Sequence, residues 1–341
     1  MNRLFAHANR ANPLVLAFHG VTAEAPGHLC NYEGKHLHRP IFEALMEGVA
    51  RHYAVVPLAR VVDWMESRAG LPDRALVLTF DDGYRNVLTV AAPVLKRLGL
   101  PATLFVTTDF VFHGRMLWPD RLMGALAASD VRRLRVPHGG ASIDLALGGE
   151  REKRAADVRL TALCKALSED EKLAFLDGIV AALRVSEEQI QNAWGDHAPI
   201  GVDELKQLHE YGIEVGSHTC SHGIVTRFAP DAMEREVTLS RQLLEQATGR
   251  PCVEFSYPNG GAGDFSEETR ARIIAAGYRC AVTTVKRRVA RSDDRYQIPR
   301  AILTHNRVTR AEFAAHVSGL APFLRAARDS VKPLLRGGTS A

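Results

Sequence analysis

The chain has 341 residues, of which 46% are hydrophobic, and its formal net charge is +4. This length and composition predict one medium-sized globular enzyme domain with a large core. The modest, dispersed charge argues against a nucleic-acid partner, and five scattered cysteines do not indicate a disulfide framework. None of these properties specifies an oligomeric state.

Strand and helix patterns alternate along most of the chain. Strand-like runs lie at 14–18, 53–57, 75–80, 102–107, 213–217, 253–257, 280–285 and 297–303. Helical patterns lie between them at 41–50, 61–67, 87–98, 203–211, 232–247 and 267–276. This α/β alternation predicts a parallel, barrel-like sheet whose functional loops follow the carboxyl ends of the strands.

A charged, helix-rich segment at about 124–198 interrupts this alternation. It predicts a helical insertion, with helical sequence at 150–167 and 170–183. Two interpretations are open for this insertion. It is either a lid that selects the substrate or an elaboration that packs on the domain.

The first chemical motif follows the buried strand predicted at 75–80. That strand stops at the turn-forming Asp81, Asp82 and Gly83. Adjacent side chains on extended backbone point in opposite directions, so one carboxylate can bind a metal while its neighbour faces a substrate.

The second motif is Gly216-Ser217-His218-Thr219-Cys220-Ser221-His222, again at the end of a predicted strand. His218 and His222 are four residues apart, a spacing that lets both imidazoles reach one ion if the backbone curls helically. One Asp and two His leave a coordination position open, which is typical of a catalytic zinc site.

Each motif alone has an ordinary explanation, since Asp-Asp-Gly is usually a solvated turn and a pair of histidines is usually coincidental. Their conjunction is far more specific. Thr79-Phe80-Asp81-Asp82-Gly83-Tyr84 followed by the second motif resembles the polysaccharide deacetylase family, the NodB-homology hydrolases of carbohydrate esterase family 4. The resemblance covers roughly residues 14–305.

This resemblance implies a distorted (β/α)7-type barrel with a helical insertion. It also implies a metal-dependent hydrolase that removes an N-acetyl group from an amino sugar or glycan intermediate and releases acetate. Asp81 would be the catalytic base, and Asp82, His218 and His222 would bind the metal, most readily Zn²⁺. The expected setting is the biosynthesis of a surface polysaccharide or glycolipid.

Further segments fit the same family. The predicted strand 14–18 ends at His19, which would lie at the barrel mouth near the metal or would simply close the strand by bonding to backbone. Tyr257, Pro258 and Asn259 are similar to a family turn whose backbone N–H, here that of Asn259, stabilises an oxyanion.

The chain departs from the family at this turn, because no arginine precedes Pro258 at the matching position. The resemblance assigns that arginine to positioning the catalytic aspartate, and Arg300 is the candidate replacement here. The departure also leaves open a second function, in which the same fold hydrolyses amide or cyclic-amide C–N bonds outside sugars.

The family's last motif matches Leu303-Thr304-His305, which makes His305 the candidate general acid. An alternative alignment anchors the last strand on Ile298-Pro299-Arg300 and leaves His305 as an ordinary polar residue in a loop.

Trp118 and Asp120 also have two interpretations. Trp118 could stack on a sugar face while Asp120 bonds a hydroxyl. Alternatively, the tryptophan packs at a helix start that Asp120 caps.

The resemblance assigns residues 1–310 to the barrel and leaves a tail at 311–341. Apolar and basic residues alternate in this tail, which predicts an amphipathic helix that packs on its own barrel or contacts a membrane surface peripherally. The first 13 residues contain no apolar segment of the length that a secretion signal needs, so we expect a cytoplasmic location, with peripheral membrane association as the open alternative.

Overall fold

The computed structural model describes residues 11–23, 29–194 and 197–303. His305 and the predicted tail at 311–341 lie outside the described residues. No helix of the described residues is long and apolar enough to span a bilayer.

The described strands are β1 (Leu14–Phe18), β2 (Gly20–Thr22), β3 (His36–His38), β4 (Ala54–Val55), β5 (Ala75–Phe80), β6 (Ala102–Val106), β7 (Arg133–His138), β8 (Ala141–Ala146), β9 (Ile213–Ser217), β10 (Glu254–Ser256), β11 (Cys280–Val282) and β12 (Ala301–Ile302). The described α-helices are α1 (Arg39–His52), α2 (Leu58–Met65), α3 (Ala92–Leu98), α4 (Thr108–His113), α5 (Trp118–Ala128), α6 (Glu150–Ala166), α7 (Glu169–Leu183), α8 (Glu187–Trp194), α9 (Pro230–Thr248) and α10 (Glu267–Ala275). A π-helical segment at Val87–Ala91 leads into α3, and the predicted helix at 203–211 is a 3₁₀-helix at Val202–Tyr211.

The main sheet is parallel throughout, with strand order β11-β10-β9-β6-β5-β1-β12 and with β4 paired to β5. Its two ends meet through one segment of chain. Ile298 forms a parallel bridge with Val282 of β11, and three residues later Ala301 of β12 lies in register with Leu16 of β1. The sheet therefore closes into a barrel, as the sequence predicted.

Strand β5 carries the first motif and is buried along its whole length. Its alternate side chains enter two different apolar clusters. Leu76, Leu78 and Phe80 pack with residues of α1 and α3, whereas Val77 packs with residues of β1, β6 and β11. Burial on both faces is the environment of a central parallel strand and explains its continuous apolar sequence.

The insertion has its own apolar core, which draws on residues from Trp118 to Ile190. Besides the predicted helices it contains the antiparallel hairpin β7–β8, which the helix-rich interpretation missed. The signal was present: the side chains of β7 alternate between exposed and buried, and the turn Gly139-Gly140 has positive φ at both residues.

Glu254 begins β10 and is buried, with only the Thr103 hydroxyl donating to its side chain, at 2.9 Å, among the described residues. Burial raises the pKa of its carboxyl to about 7. A carboxyl whose pKa is raised by folding binds protons more tightly in the folded state, so stability falls as pH rises from about 4.5 towards 7 and the loss is complete above that.

We therefore expect Glu254→Gln to stabilise the protein at pH 8 by up to roughly 3 kcal/mol and to have little effect near pH 4.5. Urea denaturation of both proteins at the two pH values measures this difference. An equal effect of the substitution at both values would show that Glu254 does not titrate in this range.

Candidate metal centre and active-site cavity

The strand ends bring the two motifs together. Asp81 and Asp82 follow β5, and His218 follows β9, with β6 between those two strands. The His218 N–H donates to the Val106 carbonyl of β6 at 2.9 Å, and the Thr107 N–H donates to the Asp82 carbonyl at 3.1 Å. Backbone hydrogen bonds to the intervening strand therefore fix both motif loops.

Asp82, His218 and His222 form a compact donor cluster. Asp82 Oδ1 lies 3.2 Å from His222 Nε2 and 3.6 Å from His218 Nε2, and the candidate ligand atoms all lie within 4.8 Å of one another. Neither Asp82 oxygen accepts a well-aligned hydrogen bond from the described residues. A buried carboxylate oxygen facing two imidazole nitrogens fits a divalent metal, with three protein ligands and room for another.

The tautomer of His218 follows from its second nitrogen. His218 Nδ1 lies 2.8 Å from the carbonyl oxygen of Ser256, which can only accept. Nδ1 therefore carries the proton, and Nε2 presents its lone pair to the cluster. Orientation of this kind by a backbone carbonyl is typical of metal-binding histidines.

The two histidines come together without the helical curl that was assumed from their spacing. Residues 218–222 contain no helix, and Thr219 and His222 instead have positive φ angles of 66° and 61°. Asp82 and Asn259 also have positive φ, so four of the seven described non-glycine residues with this conformation lie at the site. Such strain persists only where surrounding contacts enforce it, and it is concentrated at functional sites.

Glu236 of α9 enforces the histidine loop. Its Oε2 accepts from the N–H groups of Cys220 and Ser221, both at 2.9 Å. Glu169 of the insertion contributes from the other side, since its Oε1 accepts from the Ile224 N–H at 3.1 Å. Two buried carboxylates thus hold the backbone on each side of His222.

Asp81 has a different partner from Asp82. Arg300 grips it with two parallel hydrogen bonds, Nη1 to Oδ1 and Nη2 to Oδ2, both 2.8 Å long. Its remaining donors bond the Thr283 carbonyl and the hydroxyls of Thr79 and Ser256 at 2.9–3.0 Å. The structure thus places a fully buried arginine beside Asp81, as the sequence suggested for Arg300.

The two carboxyl groups remain charged despite their burial. Burial alone would raise the pKa of Asp81, but Arg300 outweighs it and holds the pKa below its usual value. For Asp82, Lys35 and His222 outweigh burial, and the pKa lies well below its usual range. Burial lowers the pKa of His222 to about 4, which leaves this imidazole neutral and able to bind a metal at neutral pH.

A cavity of about 520 Å³ opens above the cluster. The barrel supplies one part of its lining, and α5 together with α6 of the insertion supplies another through residues such as Trp118 and Asp157. This volume lies within the range of small-molecule sites. The insertion therefore forms part of the wall of the cavity, and the lid and packing interpretations both stay open.

Several predicted residues line this cavity. His19 does so, and its Nδ1 has no hydrogen-bond partner among the described residues. Asn259 lines it as well, and no described acceptor lies against its backbone N–H. Tyr257 borders the cavity, but its hydroxyl donates to the Tyr296 carbonyl at 3.0 Å, and Pro258 accepts from the Gly260 N–H.

Trp118 and Asp120 combine parts of both interpretations. Trp118 is the first residue of α5 and lines the cavity, while Lys172 Nζ lies 4.9 Å from its ring centroid. Asp120 makes no cap for the helix. Its two oxygens instead accept from Lys35 and Tyr84.

Three contributors to the site were missed in the sequence. Lys35 ion-pairs with Asp82, Glu236 holds the histidine loop, and the Ser256 carbonyl orients His218. Lys35 and Glu236 are single charged residues in unremarkable surroundings, and the contribution of Ser256 comes from its backbone. No motif marks any of them.

Comparison with known proteins agrees with the class that this fold and donor set define, a (β/α)7-type barrel with an Asp-His-His cluster. The polysaccharide deacetylase family model matches residues 68–142 and 179–281, more than half of the chain. The chain therefore belongs to the polysaccharide deacetylase family.

Individual relatives are distant. YxkH of Bacillus subtilis (strain 168) is 24% identical over 118 residues, which are 35% of this chain and about two fifths (41%) of that protein. The structure of Streptococcus pyogenes deacetylase PplD in complex with acetate matches with a TM-score of 0.60 and 14% identity, over 90% of this chain and 98% of that one. IcaB from Ammonifex degensii matches with a TM-score of 0.56 and 16% identity, over 91% and 97%. These structural likenesses show the fold.

Removing the carboxylate of Glu236, which accepts from the backbone of residues 220 and 221, should loosen the loop that carries His218 and His222. We expect Glu236→Ala to weaken Zn²⁺ binding about tenfold or more, whereas Glu236→Gln, which keeps an oxygen acceptor, should bind nearly as well as wild type. Competition with a chromogenic chelator measures both affinities. Equal losses in the two variants would contradict a role for the hydrogen bonds.

Removing Arg300 should destabilise the folded protein, because Asp81 would stay buried without a positive partner. We expect Arg300→Met to lower the free energy of unfolding by about 3–5 kcal/mol, because an unpaired buried carboxylate remains. Adding Asp81→Asn should recover part of that loss. Arg85→Met, which removes the exposed ion pair with Glu204, is the matched control and should cost about 1 kcal/mol or less.

Urea denaturation of the single and double variants gives the coupling between Asp81 and Arg300. Losses that simply add in the double variant would mean that the two side chains do not stabilise each other.

Proposed function

We propose that this protein is a metal-dependent N-deacetylase that hydrolyses the acetamide of an amino sugar or glycan intermediate and releases acetate. The observation that carries the proposal is that two adjacent carboxylates have different partners. Asp82 faces two imidazoles, and Asp81 is hydrogen-bonded to Arg300. Family membership and the matching fold support the same reaction class.

Asp82, His218 and His222 are the residues that would hold the metal, and Zn²⁺ suits this donor set, although cobalt, nickel or iron can also occupy such sites. When bound, the ion would polarise the acyl carbonyl and acidify the attacking water.

Asp81 is the group in this chain that accepts the proton of the attacking water. The two-pronged bond from Arg300 fixes the plane of its carboxylate, and the lowered pKa keeps it ionised at neutral pH. Fixed orientation matters because proton transfer requires contact of about 3 Å. Arg300 thereby acts as a positioning residue for the base.

The Asn259 N–H is the candidate donor to the developing oxyanion. Its loop is pinned by an Asn259 Nδ2 bond to Asp264 at 2.5 Å and by the Thr284 hydroxyl, which donates to the Asn259 carbonyl at 2.7 Å. A preorganised donor of this kind contributes about 3 kcal/mol to transition-state stabilisation in comparable sites.

The cavity wall supports a sugar as the substrate. Trp118 presents an aromatic ring at the cavity, and its indole N–H has no hydrogen-bond partner among the described residues. Aromatic rings stack on the apolar faces of pyranoses, and an indole N–H can donate to a hydroxyl. Protonation of the leaving amine is assigned to His305, which lies outside the described residues, so that role stays a prediction.

The alternative function, hydrolysis of C–N bonds outside sugars, was based on the absence of an arginine before Pro258 that would position the base. Arg300 supplies a guanidinium at that place from a later point in the chain. This departure in sequence therefore gives no reason to favour the alternative over the deacetylase.

An acetate-release assay on N-acetylglucosamine oligomers and nucleotide- or lipid-linked N-acetyl sugars tests the proposal. We expect the Zn²⁺-loaded wild type to release acetate from at least one of these, and Asp81→Asn to be slower by about 10²–10⁴-fold with its metal content unchanged. His52→Ala, an exposed histidine outside the cavity, is the control.

Metal-loaded protein that releases no acetate from any N-acetyl sugar but hydrolyses cyclic amides would replace the proposed function with the alternative.

A further inference from the structure

Lys35, which is partly buried, lies at the centre of a charge network that the reaction scheme does not use. Its Nζ is 2.8 Å from Asp82 Oδ2, 3.0 Å from Asp120 Oδ1 and 2.6 Å from the Tyr84 hydroxyl. Tyr84 in turn donates its own hydroxyl hydrogen to Asp120 Oδ2. Two carboxylates, one ammonium and one phenol therefore form a closed group beside the candidate metal centre.

The contacts of Lys35 indicate what it can do. Its ammonium donates to the Tyr84 hydroxyl at 2.6 Å and to Asp120 Oδ1 at 3.0 Å, and it forms an ion pair with Asp82 Oδ2 at 2.8 Å. The ammonium is therefore held against three side chains, one of which is a candidate metal ligand. These contacts give Lys35 a role in positioning the residues around it.

Because of the contact with Lys35, the two oxygens of Asp82 have different neighbours. Oδ1 faces the Nε2 atoms of His218 and His222, whereas Oδ2 faces the lysine. A carboxylate can bind a metal through one oxygen or through both. A fixed ammonium beside Oδ2 keeps a cation away from that oxygen, since like charges repel strongly in a buried site.

We propose that Lys35 is a positioning residue that restricts Asp82 to one-oxygen coordination of the metal and so keeps a coordination position open. The inference rests on the metal site of the proposed function. Tyr84 and Asp120 hold the lysine in place, and Asp120 is on α5, whose residues pack in the core of the insertion. The network thus ties the cavity wall directly to the metal-binding carboxylate.

Lys35→Met in the full chain tests this role, because methionine keeps the length of the side chain and removes its charge. We expect the variant to bind Zn²⁺ and Co²⁺ at least tenfold more tightly, since a repelling charge is lost and Oδ2 is freed. The visible bands of the Co²⁺-loaded protein should weaken, as they do when coordination number rises. Acetate release should fall at least tenfold.

Tighter binding with lower activity is the signature that separates this proposal from a structural role, because a disrupted site would bind metal more weakly. Lys286→Met is the charge-matched control: Lys286 lines the same cavity but, unlike Lys35, forms no ion pair with Asp82 or Asp120. Its Co²⁺ spectrum should equal that of wild type.

Lys35→Met leaves Asp82 and Asp120 facing each other, so Lys35→Met/Asp120→Asn is included to relieve their repulsion. We expect the double variant to show the same spectral change. Weaker metal binding in both variants, or wild-type Co²⁺ bands in both, would overturn the inference while leaving the proposed function intact. A wild-type protein that binds neither metal would overturn both.

Discussion

The structure depends on neutralising three buried carboxylates at one end of the barrel, Asp81, Asp82 and Asp120. A buried charge without a partner costs several kcal/mol, so each carboxylate needs a fixed positive group or an ordered set of donors. Arg300 is the positive partner of Asp81, and Lys35 forms ion pairs with both Asp82 and Asp120. This requirement places an arginine and a lysine from distant parts of the chain in the site.

The segment that closes the barrel also carries Arg300. The segment from Ile298 to Ile302 bridges β11 and β1, which places Arg300 beside the end of β5. The same segment therefore completes the sheet and fixes the candidate base. A change that weakened closure would be expected to disturb Asp81 as well, because stability and site geometry share these contacts.

The insertion is connected to the site by charge as well as by packing. Asp120, on a helix that packs in the core of the insertion, contacts Asp82 through Lys35, and Glu169 of the insertion holds the backbone beyond His222. The cavity wall and the metal centre are thus parts of one hydrogen-bonded assembly.

Much of the barrel could be predicted from the sequence because buried parallel strands have continuous apolar runs. The bounds of β1, β5 and β9 match the prediction, and the two motifs at the ends of β5 and β9 do converge. The helical turn that the spacing of His218 and His222 assumed is not needed, because left-handed residues and Glu236 shape that loop instead. Lys35 could not be found from sequence, since only the fold brings residue 35 to residues 82 and 120.

The central claim is that Asp82, His218 and His222 bind a divalent metal at the floor of the cavity. Diffraction data from crystals of the Zn²⁺-loaded full chain, collected on both sides of the zinc absorption edge, test it most directly. The account predicts one anomalous peak among Asp82 Oδ1 and the two Nε2 atoms. An anomalous map without density at that position, or with zinc bound only elsewhere, would contradict it.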